Sequence, residues 1–442
     1  MRRGVKWVGL LLLLAVSAVI LINQFDEPPD PAAVAASTPR APRVAAEQNG
    51  YLRLLALGAD DGADGMAYAK AWLDEARAAA NEYRAERKGA VKRAERPELC
   101  DPARVSCLSA VRDKPEEHAQ SLLAWREDIA RYESLLASTA YEEVLDYPQR
   151  SESRLPDYAK AGTAQRAWLL RAALAVREGR MEAALAAVER DIAFQRVMLA
   201  GTRTLIGRMV AAANYNRDLA FLTDLLQSSV VDMKPLAPGM AAMLASLPPA
   251  ALSFDELMNT EFAVVSYGLA RGLVAGADPL EGILSWIWRR LAYKEHKTAN
   301  RFYRGYVEAA RHLNGPAAQV LAAANQPSAP AQMKVWDYVD NPMGTMLLRT
   351  AAPSFTGYAL RLHDLEARIR LLGLAAQIVA NDVTGYAVTP YVSSSHARYH
   401  DPYSGKPMIW DAGRQRLFFR QGRSDNTREA FNVERGEVFV VL

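Results

Sequence analysis

The chain contains few of the residues from which metal and catalytic sites are usually built. Of its 442 residues, two are cysteine and six are histidine. A structural zinc site takes four Cys or His ligands, and the two cysteines have no second pair. His396 and His400 are close in sequence, but the serines before them and Pro402 after them predict a loop, so the two rings are not expected to share a helix face. We predict no metal and no cofactor.

Catalytic signatures are also missing. A zinc hydrolase motif needs a second histidine at a fixed distance from His296 or His363, and the sequence has none there. Ser266 lacks the first glycine of a nucleophile elbow and lies in a helical pattern. The segment around Asp60 lacks the carboxylate that closes a calcium loop, and no glycine-rich phosphate loop occurs. These absences favour a non-enzymatic role.

Neither sign of charge dominates the composition. Lysine and arginine number 53 against 50 acidic residues, for a net charge of +3. In residues 84–96 the basic side chains alternate with acidic ones, which predicts a solvated helix face. Residues 286–306 are rich in both aromatic and basic side chains, and a buried face beside a solvated face explains that mixture. We therefore predict no nucleic-acid partner.

One long apolar run, residues 7–22, stands out against this composition. It carries no charge and is long enough to cover most of a hydrocarbon core of about 30 Å. Basic residues precede it and acidic residues follow it, which predicts a cytoplasmic N-terminus. We predict a single-pass anchor in a bacterial inner membrane, with lipid as partner of residues 7–22 and the bulk of the chain in the periplasm.

A cleaved signal peptide is the alternative to an anchor. The small residues at 33–35 suit a cleavage site but lie far beyond the apolar run. Cleavage after Ala18 would leave the apolar residues 19–22 at the new terminus. We favour an uncleaved anchor and leave cleavage open.

The two cysteines lie close together in a segment that contains prolines. In an oxidising compartment, Cys100 and Cys107 are expected to form a structural disulfide, which closes a short loop and stabilises the fold by about 2 to 3 kcal/mol. Their spacing differs from the Cys-x-x-Cys pattern of redox proteins.

The composition changes along the chain and predicts four regions. Residues 1–24 form the cytoplasmic tip and anchor, and the Pro- and Ala-rich residues 25–48 form a semi-rigid linker. Residues 49–380 have helical periodicity and form the periplasmic domain, with a possible subdivision near 232–250. Residues 381–442 contain short strands, at 407–410, 416–420 and 437–442, and form a small antiparallel β module.

The clearest helical pattern spans residues 163–197. Its central Gly179, followed five positions later by Ala184, resembles one tetratricopeptide helix hairpin. No second copy follows at a spacing of about 34 residues, and an ordinary antiparallel pair in a bundle explains the pattern too. The predicted fold is mainly α: a transmembrane helix, a bundle or short tetratricopeptide-like domain, and the C-terminal β module.

The phrase DPYSGKPMIW at residues 401–410 carries the one family resemblance. It resembles a C-terminal module of uncharacterised membrane-anchored bacterial proteins and, more distantly, the C-terminal region of type II secretion pseudopilins. The resemblance implies a small sheet after a long helix and no assigned chemistry. Read physically, the phrase is a structural turn motif built by Asp401, Pro402, Gly405, Pro407 and Trp410.

The sequence is consistent with two functions. The first is a protein-interaction or scaffolding component of the cell envelope, with an envelope protein as its partner. The alternative is an envelope hydrolase acting on peptidoglycan or peptide, whose acidic residues meet only in the folded chain. A cleft with convergent carboxylates or histidines favours the hydrolase, and an apolar groove favours the binding role.

Overall fold

Helices dominate the described part of the chain. The computed structural model describes residues 2–81, 96–149, 153–228, 232–272, 292–326, 334–350, 354–422, 433–434 and 436–442. The helices are α1 (Arg2–Asn23), α2 (Pro31–Ser37), α3 (Gly50–Ala56), α4 (Gly65–Asn81), α5 (Cys107–Asp113), α6 (Pro115–Ala124), α7 (Arg126–Leu136), α8 (Tyr158–Arg177), α9 (Met181–Gly201), α10 (Leu205–Gln227), α11 (Ala237–Met243), α12 (Pro249–Leu252), α13 (Asp255–Gly272), α14 (Glu295–Leu313), α15 (Ala317–Ala324), α16 (Val335–Asp340), α17 (Pro342–Thr350), α18 (Thr356–Ala380) and α19 (Val388–Ser393).

The first half of the chain packs around α8, α9 and α10. The Asp157 carboxylate caps α8 by accepting the N–H of Lys160, and the Thr204 hydroxyl caps α10. Gly179, at φ 76°, lies in the turn that joins α8 to α9. Short turns make successive helices antiparallel neighbours, and Trp168 of α8 is completely enclosed between them. The helix hairpin predicted around Gly179 is therefore present.

The second half packs around α18, which is buried on nearly all sides. α10, α11, α12 and α15 contact it, and two strands of the C-terminal sheet cover another side. Its apolar residues lie on all sides of the helix, which explains this position inside the protein.

Four strands form the predicted C-terminal sheet, which is antiparallel. They are β1 (Ile409–Asp411), β2 (Arg416–Arg420), β3 (Val433–Glu434) and β4 (Glu437–Val441), in the spatial order β1-β2-β4-β3. Phe418 of β2 lies opposite both Ile409 and Phe439. Alternation buries Leu417 and Phe419 on the face that packs against α18. The prediction of a mainly helical chain that ends in a small antiparallel sheet is confirmed.

The predicted disulfide between Cys100 and Cys107 is also confirmed. Cys107 is fully buried at the start of α5, where the Ser106 hydroxyl caps the helix. The Asp224 carboxylate of α10 accepts hydrogen bonds from the Ser106 hydroxyl and the Leu108 N–H. The disulfide loop is thus joined to the central helices.

Residues 25–48 differ from the predicted linker. The Asp26 carboxylate accepts the N–H groups of His296 and Lys297 at 2.8 and 3.0 Å, and so caps α14. α2 packs on α13 and buries Ala33. The Glu142 carboxylate binds the N–H groups of residues 43 and 44. The segment is therefore docked on the body, and the prolines that suggested a free tether lie in this docked path.

The predicted anchor, residues 7–22, lies within α1. Leu11, Leu13 and Leu21 of this helix are exposed. Within the described residues, no helix meets the combined length and hydropathy expected of a membrane span.

A buried carboxylate, Glu143, fixes the turn between α9 and α10. It accepts the N–H groups of Arg203 and Thr204 at 2.7 and 2.6 Å, and the hydroxyls of Thr204 and Tyr158. Burial raises the pKa of Glu143. Beside it, a Cβ on Gly201 would lie 1.8 Å from the Tyr141 carbonyl oxygen. Only glycine fits at residue 201.

We expect Gly201→Ala to lower the free energy of unfolding by about 2 kcal/mol or more, because the added methyl forces the backbone of residue 141 away. Gly305→Ala in α14 is the matched control, since nothing lies within 4 Å of its Cβ position. That change is expected to stabilise the helix by about 0.5 to 1 kcal/mol. Chemical denaturation of the purified chain measures both, and equal effects would refute the steric argument.

Candidate functional site

The candidate site is a cavity of about 590 Å³ between α18, the α14–α15 turn and the loop that follows α19. One wall is apolar and comprises Leu252, Leu313, Pro316 and Ala317. The other wall is polar and comprises His363, Glu366, Arg370, His400 and Asp401. We call this cavity the α18 cleft. It has the mixed lining of a binding site, an apolar surface with a few convergent polar groups.

Three polar residues of the α18 cleft share one face of α18. His363, Glu366 and Arg370 are spaced three and four apart, which aligns them along a helix. Arg370 Nε donates to Glu366 Oε1 at 2.7 Å, and Arg370 Nη1 donates to the His400 carbonyl oxygen at 3.2 Å. Glu366 Oε2 accepts the N–H of Leu247 at 2.8 Å. Both oxygens of Glu366 are therefore engaged in holding the fold.

His363 differs from these neighbours. It is nine-tenths buried, and burial lowers the pKa of its imidazole, so the neutral ring is favoured. Its ring packs against that of Tyr403, with the centroids 6.4 Å apart. Among the described residues, none donates to or accepts from the His363 ring nitrogens. This imidazole is the polar group of the cleft that a ligand can engage.

The turn motif closes one end of the α18 cleft. Asp401 Oδ1 accepts the N–H of Tyr403 at 3.0 Å, and Asp401 Oδ2 accepts the Ser404 hydroxyl at 2.6 Å. Gly405 lies at φ 66°, where a side chain would be strained. Pro402 and Gly405 line the cleft. The Asp401 carboxylate is therefore occupied within its own turn.

The last residues of the turn motif lead into strand β1 of the sheet. Pro407 precedes β1, and Trp410 lies within it opposite Leu417. The Trp410 side chain is partly buried against the core. These two residues lie outside the cleft lining and join the turn to the sheet.

Sequence reasoning missed the role of Tyr403. Its hydroxyl donates to Asp364 Oδ1 at 2.7 Å and lies 3.2 Å from the Leu360 carbonyl oxygen. Asp364 Oδ1 also accepts the N–H of Gly422 at 3.0 Å. Burial and the adjacent Asp364 carboxylate raise the pKa of Tyr403, which keeps the hydroxyl protonated. The available signal was the run of polar residues at 363–370 among the leucines of this helix.

We expect Tyr403→Phe to lower the free energy of unfolding by about 1.5 to 3 kcal/mol, because a hydrogen bond to a buried carboxylate is lost. Tyr391→Phe is the control, since the Tyr391 hydroxyl meets only an exposed Asn381 amide among the described residues. Hydrogen exchange of strands β2 and β4 reports the loosening. Unchanged protection in Tyr403→Phe would contradict the anchoring role.

A second cavity, of about 410 Å³, lies across Arg370 from the α18 cleft. Arg370 lines both cavities, and Arg398 lines the second with its guanidinium 4.5 Å from the Tyr399 ring centroid. Arg196 donates to the carbonyl oxygens of Ala245 and Ser246 in the same wall. The two cavities therefore flank one arginine, and the second one is cationic.

The two predicted-loop histidines are engaged by the backbone. His396 Nδ1 accepts the N–H of Arg398, and the ring nitrogens of His400 lie 3.1 and 3.0 Å from the carbonyl oxygens of Gly405 and Ser395. In the part of the chain that the structure describes, no group of three or more His, Cys, Asp or Glu residues is arranged to hold a metal ion.

The aromatic and basic patch divides as its composition suggests. Phe302 and Tyr306 are buried, whereas Arg304 is exposed and Arg301 pairs with Asp337 at 2.6 Å. Trp286 and its neighbours up to residue 291 lie outside the described residues, as do residues 82–95 of the mixed-charge segment.

A buried pair of carboxyl groups lies in the helical half. Asp191 of α9 accepts from the Tyr132 hydroxyl at 2.9 Å and from Gln195 at 2.8 Å, and Asp218 of α10 accepts from Gln165 at 3.1 Å. Burial raises the pKa of Asp191 to about 6, and burial together with the Asp191 charge raises the pKa of Asp218 well above its usual value. All five side chains are enclosed in the core, so the pair joins helices and is closed to substrate.

We expect this pair to make the chain less stable as the pH rises. The folded-state pKa of Asp191 is about 6, above the usual ~3.9, so its stabilising effect is complete below about pH 4 and is lost through pH 6 and above. Asp218→Asn replaces the protonated carboxyl with an amide donor and should flatten the dependence of Tm on pH. The exposed Asp113→Asn is the control, and an unchanged slope in Asp218→Asn would rule the pair out as the cause.

Comparisons with protein-family models, with curated proteins and with solved structures found no match to this chain.

Proposed function

We propose that this chain is a single-pass bacterial inner-membrane protein whose periplasmic helical domain binds an envelope protein in the α18 cleft. The supporting observation is the state of the carboxylates in the cleft. Glu366 is engaged by Arg370 and the Leu247 N–H, and Asp401 is engaged by its own turn. Carboxylates held in this way stabilise loops and have both oxygens engaged by the fold, whereas the apolar wall and His363 remain available to a ligand.

The charge of the neighbouring cavity suggests the chemistry of the partner. Arg398 is exposed and Arg370 is a quarter exposed at its side chain, and both line that cavity. Guanidinium groups bind carboxylates with strong, directional hydrogen bonds. We therefore propose an extended peptide segment of the partner, with apolar side chains against Leu313 and Pro316 and an acidic group near Arg398.

The membrane anchor is the second part of the proposal. Residues 7–22 are uncharged and form most of α1, and basic residues precede them. The disulfide between Cys100 and Cys107 suits an oxidising compartment. We take the helical domain to be a bundle, because α7 and α10 pack directly on the α8–α9 hairpin.

A photocrosslinking amino acid at the exposed Ala397, which lines the α18 cleft, tests the binding role in cells. We expect one defined polypeptide adduct, reduced about tenfold by Arg398→Glu, because a charge-assisted contact is lost and replaced by repulsion. Arg414→Glu, at an exposed turn of the sheet, is the matched charge reversal and should leave the adduct unchanged.

The same crosslinker at Leu123, an exposed apolar position on α6, controls for nonspecific capture. Equal adducts at 123 and 397, or an adduct that is indifferent to Arg398→Glu, would overturn the proposed site.

The envelope hydrolase remains the second candidate. One observation favours it: the neutral His363 faces a cleft that also contains His400, and a neutral imidazole is a suitable general base. The hydrogen bonds of Glu366 and Asp401 weigh against hydrolysis. Because both carboxylates are held by the fold, no acidic side chain with a free oxygen is left among the described residues that line the cleft.

A further inference from the structure

Helices α16 and α17 expose an apolar surface of the body next to the end of α1. Val335 is 84% exposed, Trp336 58%, Met346 61% and Tyr338 36%. Arg349 Nη1 donates to the Tyr338 hydroxyl at 3.0 Å, which joins the outer sides of the two helices. We call Val335, Trp336, Tyr338, Met346 and Arg349 the α16–α17 face. Exposed apolar groups clustered in this way mark an interaction surface.

The α16–α17 face is held at a fixed place relative to α1. The Asn23 side-chain amide, at the last residue of α1, donates to the Val339 carbonyl oxygen of α16 at 2.9 Å. Three residues further on, Asp26 caps α14, on which α17 packs. The chain therefore leaves α1 directly beside the face, with no free linker between them.

The acidic side chains of α16 all lie on the side that faces α14. Its two acidic residues, Asp337 and Asp340, are turned towards α14, where Arg301 binds Asp337 and two lysines, Lys294 and Lys297, bind Asp340. The outward side has Arg349 and no acidic group among its five members. Aromatic side chains with polar tips and a nearby cation are the composition found at membrane–water interfaces.

We propose that the α16–α17 face lies in the headgroup region of the bilayer into which α1 inserts, in contact with phospholipid. This inference rests on the proposed anchor, because the face lies beside the end of α1. Trp336 and Tyr338 then bury their rings among lipid chains with their polar atoms at the headgroups, and Arg349 meets lipid phosphate. A lipid occupant explains the two features together, the attachment to α1 and the absence of acidic residues among the five described members of the face.

Single cysteines in the full-length chain test the position of this face. The native cysteines form the disulfide, and the described residues include no free thiol, so an added cysteine is the one that reacts with a maleimide fluorophore. Met346→Cys reports the α16–α17 face, Leu13→Cys reports α1, and Leu123→Cys on α6 is a control of matched exposure at 69%. The chain is reconstituted in vesicles of phosphatidylcholine and phosphatidylglycerol.

We expect the label at residue 346 to shift its emission to the blue on reconstitution, to be quenched by brominated lipid and to be protected from aqueous iodide. The label at residue 123 should respond to iodide alone. Lipid quenching at residue 13 with none at residue 346 overturns this inference and leaves the anchor standing. Absence of lipid quenching at residue 13 overturns both the anchor and the inference.

Discussion

The hydrogen bonds made by the polar group at residues 363–370 of α18 hold the second half of the structure together. A helix that is buried on nearly all sides has little water to satisfy its polar side chains, so most of them find a partner in the elements around it. Glu366 finds the N–H of Leu247, Asp364 finds the Tyr403 hydroxyl, and Arg370 finds the His400 carbonyl oxygen. The segment around Leu247 and the turn at residues 400–403 are thereby both fixed on one helix.

That constraint also decides what the α18 cleft can do. Both oxygens of Glu366 and of Asp401 accept hydrogen bonds from groups of the fold, so these side chains stabilise the loop geometry. His363 has no such partner among the described residues, and it lines the cleft together with the apolar wall and Arg370. The site therefore has the apolar area and the few directional groups that recognition needs, which is the basis for preferring binding over hydrolysis.

Local sequence patterns predicted the features that depend on residues close together in the chain. The strand at residues 416–420 alternates and pairs as expected, and the disulfide joins two cysteines a few residues apart. The path of residues 25–48 was not predictable in the same way. Asp26 caps a helix 270 residues away, and a long-range hydrogen bond leaves no periodic trace in either segment. The sequence predicted Tyr403 only as part of a turn. Its partner Asp364 lies 39 residues away on α18, and no local pattern links the two residues.

Helix α14 runs from the end of α1 to the α18 cleft, and its length sets the distance between them. Asp26 caps its first turn, next to the end of α1, and its last residue, Leu313, lines the α18 cleft. Its 19 residues rise about 28 Å at 1.5 Å each. In the proposed arrangement this helix, rather than a Pro-rich linker, is the spacer between bilayer and cleft. Because residues 25–48 are docked and α14 is rigid, the cleft would lie at a fixed distance from the bilayer. A flexible linker would instead allow many distances. The ion pairs of Lys294 and Lys297 with Asp340 join α16 to the start of the same helix.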